Sequence, residues 1–147
     1  NMAEAGTLLN VWIKPARGEP MSAVETAEVF ADSGLGGNSD QGGSRQITVL
    51  SAERWADVEA DLGRTVEPSA RRANLLVDGV ELADTTGRTL RVGDARIEIR
   101  GETRPCFQMD AELDGLQDAL DADWRGGAYG VVLGDATINV GDAVSWE

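Results

Sequence analysis

The chain has 147 residues, a formal net charge of −13, no histidine and a single cysteine. That length suits one domain, whose folding would bury roughly 68–70% of the surface that its unfolded chain exposes. The charge repels nucleic acid and anionic membranes, a lone cysteine makes no internal disulfide, and the lack of histidine removes the commonest metal ligand and the usual neutral-pH general base. Catalysis by such a chain would rely on cysteine, carboxylates, arginines or a bound cofactor.

In chain order, short stretches that alternate apolar and polar residues predict strands over Thr7 to Ile13, Val24 to Phe30, Gln46 to Leu50, Asn74 to Val77, Arg88 to Val92, Arg96 to Arg100, Ala128 to Leu133, Thr137 to Val140 and Ala143 to Trp146. The eighteen glycines that punctuate them favour a mainly β fold. Two helices interrupt the strands. Ser51 can cap the first, whose Trp55, Val58 and Leu62 fall along one face. The second spans about Ala111 to Ala122, with Leu113, Leu116 and Leu120 as an apolar stripe. Between Ala31 and Arg45 the composition turns to glycine and small polar residues, which predicts a long loop without structure of its own, either mobile or a backbone cradle for phosphate. It lacks the Gly-Lys-Ser/Thr ending of a P-loop. Val92-Gly93-Asp94-Ala95 and Val140-Gly141-Asp142-Ala143 both place Gly-Asp between strands and read as similar hairpin turns.

Chemistry can be carried by few residues. Cys106 follows Arg104-Pro105, where proline stiffens the approach and a neighbouring guanidinium would favour the thiolate, the form that attacks sulfur or binds a soft metal. Packing as a small inert hydrophobe is its other reading. Arg45, Arg72 and Arg104 could converge as an oxyanion receptor, since guanidinium binds phosphate bidentately and stays charged; each could equally pair with a surface carboxylate, which is the expectation for Arg71. Asn74 can hydrogen-bond a ligand edge or satisfy the turn that opens its strand. Lys14 is the only lysine and so the only candidate Schiff-base partner.

Read in order, Gly34-Leu35-Gly36-Gly37-Asn38, Arg45 to Ser51, Arg72-Ala73-Asn74-Leu75-Leu76-Val77, Leu90 to Ala95, Arg104-Pro105-Cys106 and Trp124 to Gly130 resemble the MOSC family, the domain found at the C-terminus of molybdenum-cofactor sulfurases. The resemblance covers nearly the whole chain and implies one domain over residues 2–147, with Asn1 set aside. It implies a compact, mainly β fold with a pyruvate-kinase-like β-barrel and a few short helices. In relatives such as the mitochondrial amidoxime-reducing components the domain's cysteine ligates molybdenum, while basic and polar residues hold the pterin phosphate. Others are described as sulfur carriers, in which that cysteine would hold a persulfide.

Carried over, these roles make Cys106 the catalytic residue and metal ligand, and Lys14, Arg45, Arg72, Asn74 and Arg104 the residues for a molybdenum cofactor (molybdopterin). Pyridoxal phosphate is not expected, since in sulfurases it belongs to a separate domain. Three functions stay open: a cofactor-binding or persulfide-carrying domain, a molybdenum-dependent reductase of N-hydroxylated compounds, or a non-catalytic interaction module. The expected partners are a pterin cofactor or a sulfur-donor protein and, for the reductase, a redox partner; nucleic acid and membrane are not. Where many relatives read Gly-Asp and then His two residues on, this chain has Gly37-Asn38 and Asp40. No apolar run approaches the ~20 residues of a membrane span and no basic segment precedes an apolar one near the start, so a cytoplasmic location is expected.

Overall fold

The computed structural model describes residues 5–104 and 115–147. Its strands are β1 (Gly6–Ile13), β2 (Ser22–Val24), β3 (Thr26–Phe30), β4 (Gly34–Leu35), β5 (Ile47–Ser51), β6 (Leu75–Asp78), β7 (Thr89–Val92), β8 (Ala95–Glu102), β9 (Ala128–Val132), β10 (Ala136–Asn139) and β11 (Ala143–Trp146). Pairing runs β11-β7-β8-β9-β5-β6-β1, and β11 also pairs with β1, which closes a seven-strand barrel. Closure removes the free edges that would otherwise invite pairing with another chain. Every barrel pair is antiparallel except β5 with β6. A parallel pair needs a crossover, supplied here by α1 (Ala52–Leu62) and a short 3-10 helix (Pro68–Arg71).

The two periodicities divide the apolar residues between two cores. Along β5 and β6, Ile47, Val49, Leu75 and Val77 point into the barrel, while Leu50 and Leu76 point outward beneath α1. Both faces are thus buried, which is why these strands read as near-continuous apolar runs. The outer core is completed by Trp12, by Trp55 and Val58 of α1, and by Leu116 and Leu120 of α2 (Leu116–Leu120). As expected, Ser51 caps α1: its Oγ accepts from the Arg54 N–H at 3.2 Å. The start of the second expected helix, with Leu113, lies outside the described residues.

Three expectations change. The stretch from Val24 to Phe30 is two strands: β2 extends the barrel sheet beside β1, and β3 belongs to a separate sheet ordered β10-β3-β4. That sheet sends Ala27, Val29, Leu35 and Ile138 into the barrel's core. The segment from Ala31 to Arg45 is not structureless. It contains β4 with a fully buried Leu35, and Gln41 Nε2 donates to the carbonyls of Leu35 and Asn38 at 2.7 and 2.8 Å. One polar side chain thereby satisfies backbone acceptors that no ladder reaches.

The two Gly-Asp turns also part company. Gly93-Asp94 makes a true hairpin, with Val92 paired to Ala95. Gly141-Asp142 instead carries the chain from the small sheet into the barrel, since β10 and β11 lie in different sheets. The turns meet: a Cβ on Gly93 would collide with the Asp142 carboxylate, and the Gly93 N–H donates to the Ala143 carbonyl at 2.9 Å.

Candidate functional site

One cleft gathers the cationic residues. β1 finishes at Ile13 beside the starts of β5 and β6, and β8 finishes at Glu102 beside the start of β9. The loops at those ends surround a cleft of about 300 Å³ lined by Lys14, Arg45, Arg72, Asn74 and Arg104. All five cofactor residues carried over from the family are therefore neighbours, although they are spread over ninety residues of sequence. Cys106 lies outside the described residues, two positions beyond Arg104 in the chain.

Asn74 holds the floor of the cleft together. Its Oδ1 accepts from the Thr48 N–H and hydroxyl at 3.0 and 3.2 Å. Its Nδ2 donates to the Trp12 carbonyl and to Asn38 Oδ1, both at 3.2 Å. Both amide protons and both acceptor directions are thus committed to β1, β5 and the 38–40 segment, so Asn74 positions the site's walls. Asn38 is buried as well, and its Oδ1 also accepts from the Lys14 N–H at 2.8 Å.

The cations are held in different ways. Lys14 pairs with Asp40 at 2.7 Å. The Arg45 guanidinium lies over the Tyr129 ring, 5.0 Å from its centre, and Arg104 is exposed with Glu102 at 3.9 Å. Arg72 occupies the left-handed region, φ 62° and ψ 33°, at the end of the 3-10 helix. Its Nη2 donates to the Glu19 carbonyl at 2.7 Å. Neither Arg45 nor Arg72 forms an ion pair among the described residues.

Two residues were not legible in advance. Arg71, expected at the surface, is buried: its Nε donates to the Gly126 carbonyl at 3.0 Å and its Nη2 to the Thr103 carbonyl at 3.1 Å. It fastens the Thr103–Arg104 segment, which precedes Cys106 in the sequence, to the turn before β9. Gly126 permits this, because a Cβ there would run into the Thr103 carbonyl. Thr103 is the other. Its side chain is buried beside the cleft and its hydroxyl has no hydrogen-bond partner among the described residues. A buried hydroxyl costs roughly 1–3 kcal/mol when unpaired, so an oxygen-rich ligand would find a ready donor. Nothing in the local sequence marks either role, since both depend on β8 and β9 meeting the 3-10 helix.

Against a chain of net charge −13, this cleft concentrates Lys14 and four arginines around one carboxylate, that of Asp40, among the described residues. It is suited to an oxyanion. Among the described residues no cluster of three or more acidic, Cys or His side chains could hold a metal ion, and no helix is long and apolar enough to cross a membrane.

The family model for the MOSC domain matches residues 32–145. Solved structures of similar fold include the YuaD protein of Bacillus subtilis, 17% identical, with a TM-score of 0.80 over 95% of this chain and 94% of that one. They also include YiiM of Geobacillus stearothermophilus, 18% identical, TM-score 0.77, covering 97% and 75% of the two chains. YiiM of Escherichia coli is 15% identical, with a TM-score of 0.72 over 96% and 69%. No curated protein matches the sequence.

Proposed function

The chain belongs to the MOSC domain family, and we propose that its cleft binds the phosphate end of a molybdenum cofactor while Cys106 serves as the sulfur-bearing or molybdenum-ligating residue. The observation that carries the reading is the convergence of Lys14, Arg45, Arg72 and Arg104 on one cleft, in a chain whose remaining surface is strongly acidic. Guanidinium groups in such an array bind a phosphate through parallel N–H donors, and charge-assisted hydrogen bonds are roughly twice as strong as neutral ones.

The residues present fit the group. The cleft's volume, about 300 Å³, is at the lower end of small-molecule sites, enough for a phosphate and part of a ring system. The partnerless Thr103 hydroxyl supplies a buried donor or acceptor at the wall. Arg45, Arg72 and Arg104 would hold the phosphate, with Lys14 at the rim. When bound, the cofactor would supply a molybdenum centre that a soft thiolate can ligate. Asn74 and Asn38 keep the cationic loops in place, and Arg71 fixes the segment that leads to Cys106. A persulfide on the same cysteine is the form the site would take as a sulfur carrier.

The test is anaerobic purification from cells that make the cofactor, followed by molybdenum analysis and intact mass. Wild-type protein is expected to carry molybdenum and pterin, or the mass of one extra sulfur atom. Cys106→Ser should lose the metal or the sulfur while keeping its melting temperature, and Arg45→Gln with Arg72→Gln should lose the pterin. Wild-type protein free of molybdenum, pterin and persulfide would overturn the reading.

A further inference from the structure

Resting on that oxyanion cleft, we propose that Asp40 is its specificity-determining residue: it holds Lys14 in an internal ion pair and so reduces the preference of the cationic cleft for doubly over singly charged oxyanions. Ordinary surface ion pairs carry little weight because two long side chains must be ordered to make them. This pair is built differently. Three consecutive residues grip one lysine: Asn38 Oδ1 accepts the Lys14 N–H at 2.8 Å, the Ser39 N–H donates to the Lys14 carbonyl at 2.7 Å, and Asp40 Oδ2 takes the ammonium at 2.7 Å. Asn38 Nδ2 also donates to the Asp40 carbonyl at 3.2 Å, which fixes the backbone that carries the carboxylate.

The consequence follows from the charges. The lysine side chain is 24% exposed and the Asp40 side chain 63% exposed, so the lysine is mostly covered while the aspartate stays open to solvent. An incoming phosphate must displace Asp40 from Lys14 or settle beside it with the two negative charges facing one another. A phosphate dianion suffers about twice the repulsion of a monoanion at the same place. Arg45, Arg72 and Arg104 likewise attract the dianion about twice as strongly, so the carboxylate offsets part of the preference that they create.

Asp40→Asn keeps the size, and the Asp40 backbone carbonyl to which Asn38 donates is untouched, so the fold should survive. Binding of methyl phosphate (a dianion at pH 8) and dimethyl phosphate (a monoanion) would be followed by NMR titration. The proteins are wild type, Asp40→Asn, Lys14→Met and the double variant. Asp40→Asn should tighten methyl phosphate binding by about three- to tenfold and dimethyl phosphate binding by no more than about threefold. In the Lys14→Met background most of that gain should vanish. Equal or weaker binding by Asp40→Asn, with wild type still binding, would overturn the role of Asp40 and leave the oxyanion cleft standing. A gain that persists in full without Lys14 would overturn the ion-pair explanation. Failure of every protein to bind either probe would overturn the cleft and this inference together.

Discussion

Arg72 separates backbone strain from ligand binding, because the same residue carries both. Its φ of 62° places a side-chain-bearing residue in the left-handed region, at a cost of about 1–2 kcal/mol that glycine does not incur. Arg72→Gly removes that strain but adds about 0.4–1 kcal/mol of unfolded-state entropy, and it loses the bond to the Glu19 carbonyl, worth about 1 kcal/mol. The three terms nearly cancel, so Arg72→Gly should unfold within about 1 kcal/mol of wild type. Arg72→Ala loses the same bond and keeps the strain. It should be about 1 kcal/mol less stable than the glycine variant, a gap of roughly 3–4 °C in melting temperature for a domain of this size. Phosphate binding should respond differently. Both variants lack the guanidinium, whose charge-assisted hydrogen bonds contribute about 1.5–3 kcal/mol, so both should weaken binding by about ten- to a hundredfold and to the same extent. Denaturant melts and phosphate titrations on the three proteins measure the two effects. If the glycine variant is less stable than the alanine one, the left-handed conformation is wrong; if phosphate affinity is unchanged, Arg72 is no part of the receptor.

Arg71→Met should cost at least about 3 kcal/mol, because the Gly126 and Thr103 carbonyls lose their charged donor in a buried setting; a shift in denaturant midpoint of less than a third of that would show that the arginine is dispensable. Glu147 gives a pH signature. Its hydrogen bond from Arg96, partly opposed by desolvation and aided by the charges of Arg96 and Arg91, holds the carboxyl below its ordinary range. The native state therefore favours the ionised form, and this contribution is complete above the carboxylate's unfolded pKa and fades as pH falls through its lower native value. Glu147→Gln should lower the melting temperature at neutral pH and match wild type in acid below the native value; an equal deficit at both pH values would refute the linkage.

The family segments were legible as motifs, and the polar residues taken from them share one cleft. Lys14, Arg45, Arg72, Asn74 and Arg104 are far apart in the chain, yet all line it. The roles within that cleft were less legible. Asn74 was open to two readings by sequence, and the structure shows its amide group spent on Thr48, Trp12 and Asn38. Arg71 sits beside Arg72 in sequence and looks no different from it, but its side chain is buried against two carbonyls while Arg72 reaches outward to Glu19. The left-handed backbone at Arg72 turns the chain between them, and no residue-type pattern announces that turn at an arginine.

The sequence by itself determined what depends on near neighbours: the alternation that makes strands, the Ser51 cap, the helix stripe of Trp55 and Val58, and the turn chemistry of Gly-Asp. Only the tertiary structure decided which strands pair. Gly93-Asp94 and Gly141-Asp142 carry the same local signal, but one closes a hairpin and the other crosses between sheets. The break of Val24 to Phe30 into β2 and β3, and the pairing of Gly34–Leu35 with β3, are of the same kind. The physical reason is that turn propensity fixes a few dihedral angles, whereas strand partnership is set by burial of side chains that meet across the barrel from distant parts of the chain.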